Sequence, residues 1–176
     1  MKILHIGQMV GGISVYIKNT TAALADDIEF VIVSGKGDQN KPLVINGSQI
    51  KEYKIDLYRE LSLKDISGLW QAVKVVRKER PDVIHCHSAK GGFVGRIAGW
   101  ICGVPTLYTP HAYSFLSTNS GLKRKIFIAL ERIARLDSYM LACSESEREL
   151  GQKVVGYKSA KSLCWNNSVP NIKRNL

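Results

Sequence analysis

Short apolar runs alternate along this chain with stretches in which apolar residues recur at helical spacing. Residues 2–7 form a β-rich run that stops at glycine. Residues 13–25 then place Ile13, Tyr16, Ile17, Ala23 and Leu24 at roughly helical intervals. The strand pattern repeats at 28–33, and 34–47, punctuated by glycine, Asp38, Asn40 and Pro42, reads as a loop or edge excursion. Residues 50–55 alternate like an exposed strand. From Ser62, a candidate N-cap, Leu63, Ile66, Leu69, Trp70, Val73 and Val76 mark a core-facing helix that Pro81 stops. A continuous apolar strand at 82–86, suited to cover on both faces, is followed by a helix over 91–102 whose small residues permit close packing. Further expectations are a strand at 106–109, a basic amphipathic helix at 122–136, a strand at 138–143, a helix from 145 to about 154 behind Ser144, and a last strand at 161–165. Strands alternating with helices imply right-handed crossovers and an α/β fold built on a parallel sheet.

At 176 residues and 45% hydrophobic, the chain can bury one full core, so a single domain is expected. The 25 Lys and Arg against 15 Asp and Glu leave a formal charge of +10, which favours an anionic partner: nucleic acid, phosphate or an anionic lipid surface. The four cysteines, Cys86, Cys102, Cys143 and Cys164, form no CxxC pair and read as buried reduced thiols rather than a zinc or redox motif. The N-terminus reads as a strand rather than a signal peptide, and no apolar run approaches a membrane span. A cytoplasmic compartment is expected.

Candidate chemistry gathers where predicted strands end. The first turn, GQMVGGIS, offers Gly11 and Gly12 at a helix start, where backbone amides can approach a phosphate; the alternative is a plain tight turn. It is neither a GxGxxG fingerprint nor a P-loop. His85 and His87 flank Cys86 and are expected on opposite faces of their strand, which argues against a metal site; His87, at the exit, is expected to face a cleft. Ser88 and Lys90 precede a glycine-opened helix and could converge on an anion, unless Ser88 merely caps the helix. In TPHAYSF, Pro110 ends the strand and sets His111 at the rim, as a donor to a sugar hydroxyl or phosphate, a proton-transfer group or a structural residue. Tyr113 and Phe115 either stack on a sugar ring or anchor the loop. The helix carrying Lys123, Arg124, Lys125, Arg132 and Arg135 reads as a solvated face or as a surface resting on anionic lipid, with Ile126, Phe127, Ala129, Leu130, Ile133 and Leu136 on its apolar side. Its aromatics are not interleaved with the basic residues, which disfavours nucleic acid.

Taken together, the blocks MKILHIGQMVGGISVYI, PDVIHCHSAKGGFVGRIAG, YTPHAYSF and LACSESERE resemble the amino-terminal domain of glycosyltransferase family 4, the retaining GT-B enzymes. HSAKGGFVGR and YTPHAYSF resemble in particular enzymes that build capsular, exopolysaccharide or lipid-linked oligosaccharide repeats. The resemblance implies a Rossmann-like, doubly wound, mainly parallel sheet with helices on both faces, one half of a GT-B fold, over residues 1–165. Residues 166–176 would begin the crossing to a donor-binding domain that this chain does not contain. It further implies Gly11 and Gly12 near the donor phosphates, His111 as the catalytic contact to the donor sugar, and an acceptor side lined by His87, Ser88, Lys90, Tyr113, Ser114, Ser144, Glu145 and Arg148. The reaction implied is transfer from a nucleotide sugar, a UDP-sugar, to a sugar hydroxyl of a polysaccharide or polyprenyl-diphosphate-linked acceptor, with retention. No cofactor or metal is implied, and Lys123, Arg124 and Lys125 would touch the inner face of the cell membrane. Two rival expectations are a non-catalytic binding or recruiting subunit of a split glycosyltransferase, and a fragment of a GT-B nucleotide-sugar epimerase.

Overall fold

The computed structural model describes residues 1–24, 27–58 and 64–166. Chain order runs β1 (Lys2–Ile6), α1 (Gly11–Leu24), β2 (Glu29–Gly35), a small hairpin of β3 (Val44–Ile45) and β4 (Ser48–Gln49), β5 (Lys51–Ile55), α2 (Lys64–Glu79), β6 (Val83–His87) and α3 (Ser88–Cys102). It continues through β7 (Thr106–Thr109), α4 (Gly121–Arg135), β8 (Tyr139–Ala142), α5 (Glu145–Leu150) and β9 (Ser162–Cys164). Seven strands pair in the order β5-β2-β1-β6-β7-β8-β9, all parallel. The chain winds from β1 toward β5, then returns to β6 on the other side of β1. With right-handed crossovers this reversal puts α1 on one face and α2 to α4 on the other, and opens a crevice beyond the carboxyl ends of β1 and β6. The expected Rossmann-like, doubly wound α/β fold is the one observed.

Alternation along the strands assigns each side chain to a layer. Leu4 and Ile6 of β1 and Ile84 and Cys86 of β6 point into the main core with Ala72, Val76, Val94, Ala98 and Tyr108. The opposite face, under α1, holds a smaller apolar cluster of Met9, Ile17 and Ile32. It also carries His5, His85 and His87, all buried. The helix expected over 91–102 starts at Ser88, because β6 runs into α3 without a loop; Ser88 takes φ 61, and His87 occupies the N-cap position without a side-chain cap. Ser88 therefore does not cap the helix. Gly91 lies so close to the first turn that a Cβ on it would meet the Gly7 Cα at 2.7 Å, which ties α3 to the end of β1.

The basic helix α4 buries a different side from the one expected. Glu131 and Ala134 are buried and Phe127 and Ile128 pack on the core, whereas Ile126, Ala129, Ile133 and Leu136 face outward. The reason is a polar network invisible to apolar periodicity. Arg96, fully buried on α3, donates from Nη2 to Glu131 at 2.8 Å and from Nε to the Gly92 carbonyl at 2.8 Å, and lies 3.9 Å over the Tyr108 ring. Tyr108 Oη donates to the other Glu131 oxygen at 2.9 Å. With both charges fully partnered in the interior, α4 is turned so that Glu131 reaches Arg96.

The remaining expectations are met unevenly. The alternating run at 50–55 is edge strand β5, and the expected helix behind Ser144 is α5 followed by a π turn, Gly151–Val155. None of the four cysteines forms a disulfide, but Cys86 alone is buried; Cys102 and Cys143 are half-buried and Cys164 is exposed. Ser62 and nearly all of the interdomain crossing expected at 166–176 lie outside the described residues. Among the described residues, no helix is long and apolar enough to cross a membrane.

Candidate functional site

At the carboxyl ends of β1, β7 and β8, three turns close around a cavity of about 620 Å³ lined in part by Gly12, Ile13, His111, Cys143, Ser144 and Glu147. The first turn is shaped by Asp38, whose Oδ2 accepts from the amides of Met9 at 2.8 Å and Gly35 at 2.9 Å. Gly11 opens α1 at φ 54, a conformation that favours glycine, and nothing lies within 4 Å of where its Cβ or that of Gly12 would be. The first turn of α1 thus leaves room for an anion at its amides.

The turn after β7 is strained. His111 and Ala112 both adopt left-handed backbone, at φ 53 and φ 73, which costs of the order of 1–2 kcal/mol for each non-glycine residue. Glu147 holds this shape: its two carboxylate oxygens accept from the amides of Ala112 and Cys143, each at 2.7 Å, and so bind the β7 turn to the β8 turn. Ser144 caps α5, its Oγ accepting from the Glu147 amide at 3.2 Å. Sequence reasoning named Glu145 in this segment and passed over Glu147. The missed signal is the S-x-x-E capping-box spacing from Ser144 to Glu147, although here the carboxylate reaches one residue farther back, to Cys143.

Behind His111 the histidines stack rather than diverge. Residues two apart on a strand share a face, so the expectation that His85 and His87 lie on opposite faces is corrected: their ring centroids are 4.1 Å apart. His5, beside them on β1, completes a cluster in which one ligand nitrogen from each ring lies within 4.8 Å of the others. Opposite facing therefore does not exclude a metal there. In the observed arrangement several of the nitrogens bond one another or a hydroxyl. His5 Nδ1 is 2.9 Å from His87 Nε2, and His85 Nε2 is 2.8 Å from Thr109 Oγ1. His87 Nδ1 reaches His111 Nε2 at 3.1 Å. Tyr16 of α1 closes the group edge-on, 4.9 Å from the His111 ring. Burial holds the His5 and His111 imidazoles at pKa values of about 4. It pushes His85 and His87 well below the ordinary range, with further repulsion from neighbouring histidines. All four rings are therefore neutral near pH 7.

The residues expected on the acceptor side do not form one set. Ser144 lines the cavity with His111, but His87 is fully buried behind His111 and offers no surface to a ligand. Tyr113 lines the same cavity as His111 and Ser144 but is almost fully buried, stacked on Phe115 with centroids 4.8 Å apart and its Oη 3.0 Å from Met140 Sδ, so it anchors the loop. Lys90 and Ser114 line a second, mainly apolar cavity between α3 and α4, also of about 620 Å³, where Lys90 pairs with Asp65 at 2.7 Å. Glu145 and Arg148 pair with each other, one turn apart on α5. Lys123, Arg124 and Lys125 are exposed on α4.

Residues 10–170 match the model of Glycosyltransferase Family 4. Over 93 residues, 52% of this chain and 24% of the relative, the sequence is 37% identical to the UDP-Gal:alpha-D-GlcNAc-diphosphoundecaprenol alpha-1,3-galactosyltransferase of Escherichia coli. Over 125 residues, 66% of this chain and 32% of the relative, it is 28% identical to the capsular polysaccharide biosynthesis glycosyltransferase CapM of Staphylococcus aureus. The chain thus spans about a quarter to a third of the length of these relatives. Among solved structures, Anabaena Alr3699/HepE in complex with UDP and glucose matches with a TM-score of 0.69 at 18% identity, over 96% of this chain and 45% of that one. A UDP-N-acetylglucosamine 2-epimerase shares the fold at a TM-score of 0.60 and 11% identity, over 94% of this chain and 47% of that one.

Proposed function

Because the chain belongs to glycosyltransferase family 4, we propose that it forms one wall of a cleft in which a sugar passes from a UDP-sugar to a glycan or polyprenyl-diphosphate-linked hydroxyl, with retention. The observation that carries this reading is the cavity at the strand ends, where the open start of α1, His111 and Ser144 meet. In it, the amides at Gly11 and Gly12 face the donor diphosphate, His111 meets the transferred sugar, and Ser144 lies on the acceptor side. The second wall comes from a further domain or subunit. The carboxylate nearest the cleft, Glu147, is committed to two backbone amides, so it supports no covalent glycosyl intermediate. Attack on the same face as the departing diphosphate fits this better, and the net charge of +10 suits a diphosphate leaving group.

We assign α4 to a membrane surface. Leu122 and Ile133 are 71% and 66% exposed, and with Ile126 they fall at i, i+4 and i+11, a stripe on the outer side of the helix flanked by Lys123 and Lys125. Sedimentation with anionic vesicles should weaken when Lys123, Arg124 and Lys125 are neutralised. Unchanged sedimentation would return α4 to a solvated face.

The transfer reading is tested with labelled UDP-sugars and a polyprenyl-diphosphate sugar acceptor, using the chain together with whatever segment or subunit completes the cleft. Label entering the lipid phase with the donor's anomeric configuration is expected, and His111→Ala should lower turnover by about two orders of magnitude or more. Release of an isomerised UDP-sugar without acceptor would instead identify an epimerase, and binding without turnover a recruiting subunit.

A further inference from the structure

Three of the four histidines and one cysteine form a continuous line from the buried face under α1 to the cleft. His5 Nδ1 meets His87 Nε2 at 2.9 Å, His87 Nδ1 meets His111 Nε2 at 3.1 Å, and His111 Nδ1 meets Cys143 Sγ at 3.7 Å. A neutral imidazole has one N–H and one lone pair. Each ring that accepts on one side must therefore donate on the other, and the line runs in one of two senses: outward from His5, or inward from the Cys143 thiol.

The inner end decides between them. Among the described residues, His5 Nε2 is buried without a partner. In the outward sense that atom carries only a lone pair; in the inward sense it carries an N–H with nothing to receive it. Orphaned buried N–H groups are the rarer kind, and the inward sense would also start from a thiol, a weak donor. We infer that His5 and His87 are positioning residues that hold neutral His111 as its Nδ1–H tautomer, so that it meets a ligand in the cleft as a hydrogen-bond donor and not as a base.

The two nitrogens of His111 are held unequally. Nε2 is tied inward by a buried imidazole N–H at 3.1 Å, while the Nδ1–H has only a sulfur at 3.7 Å. A sugar hydroxyl or phosphate oxygen entering the cavity that His111 and Cys143 both line can take over that N–H without disturbing the buried line. Phe30, stacked on His5 with centroids 5.6 Å apart, and the Thr109 hydroxyl, which engages His85, keep neighbouring rings from turning to offer an alternative donor. That the ligand is a sugar or its phosphate rests on the transferase reading; the tautomer assignment does not.

Long-range proton–nitrogen NMR of the 15N-labelled 176-residue chain near neutral pH reads the tautomers directly. His5, His87 and His111 are all expected as Nδ1–H, a distinctive result because free imidazole side chains favour Nε2–H. His5→Phe, which keeps a ring but removes the first donor, should replace the single His111 pattern with a mixture, and His5→Asn, whose amide nitrogen sits near the Nδ1 position, should restore it. Cys143→Ala should leave the pattern unchanged. His111 found as Nε2–H in the unaltered chain, or losing Nδ1–H in Cys143→Ala, would overturn the assignment, and both measurements stand even if His5→Phe does not fold. Absence of sugar transfer with the cleft completed would sink the transferase reading while leaving this one intact; an Nε2–H His111 would do the reverse.

Discussion

His5 and His111 show how far burial changes a residue's ordinary chemistry. Folding lowers the pKa of each from about 6.5 to about 4, so below pH 6.5 the unfolded chain binds more protons than the folded one. Their contribution is complete above about pH 6.5 and is lost progressively as the pH falls toward 4, by roughly 3 kcal/mol for fully buried His5. His85 and His87 act with the same sign. Urea midpoints measured from pH 7.5 down to 4.5 should fall steeply, and His5→Asn, which cannot protonate, should flatten part of the slope; a midpoint independent of pH would contradict the buried neutral cluster. Glu147 belongs to the same scale. Replacing it with alanine leaves the amides of Ala112 and Cys143 without their acceptor, a loss of about 2–4 kcal/mol. Ala112→Gly relieves the φ 73 backbone at the expense of chain entropy and should change stability by under about 1 kcal/mol, as denaturant titration can show.

Among the elements, α3 and α4 depend on each other through a buried charge pair as much as through apolar packing. Arg96→Met strands the buried Glu131 carboxylate and should cost about 3–5 kcal/mol, whereas Arg96→Met combined with Glu131→Leu should recover much of it, since neither charge is then left unpaired. Equal destabilisation by the single and double variants, in equilibrium unfolding, would mean that the lost tyrosine and backbone bonds dominate. This pair also marks where sequence reading stopped. The alternation of the main-sheet strands and the helices was readable, the short β3–β4 hairpin aside, because short apolar runs and helical spacing are local properties. The facing of α4 was not, because Glu131 sits in a basic, solvent-like pattern and its partner is 35 residues away.

At the scale of the whole molecule, the sheet order brings the turns after β1, β7 and β8 to one edge, where they line one cavity, the single wall of the proposed cleft. Donor contacts confined to one wall are expected to give weak binding and no turnover. Isothermal titration of the 176-residue chain with UDP-sugars, beside a transfer assay, checks this, and sugar transfer by the chain alone would show that the wall is sufficient. Of the candidate site, the open start of α1, His111 and Ser144 were found from sequence and meet in one cavity. Lys90 and Ser114 were assigned to it but line another, while Tyr113 lines it as a buried anchor.

By itself the sequence determined the α/β alternation, the parallel sheet and the turns that carry chemistry, since each depends on residues close together in the chain. Tertiary structure alone decided which side chains in those turns meet. His5 and His87 are 82 residues apart, yet the register that pairs β1 with β6 brings His5 Nδ1 to within 2.9 Å of His87 Nε2. Packing under α1 then removes water from the rings and leaves them neutral, and the Glu147 clamp sets the turn from which His111 meets the last of them.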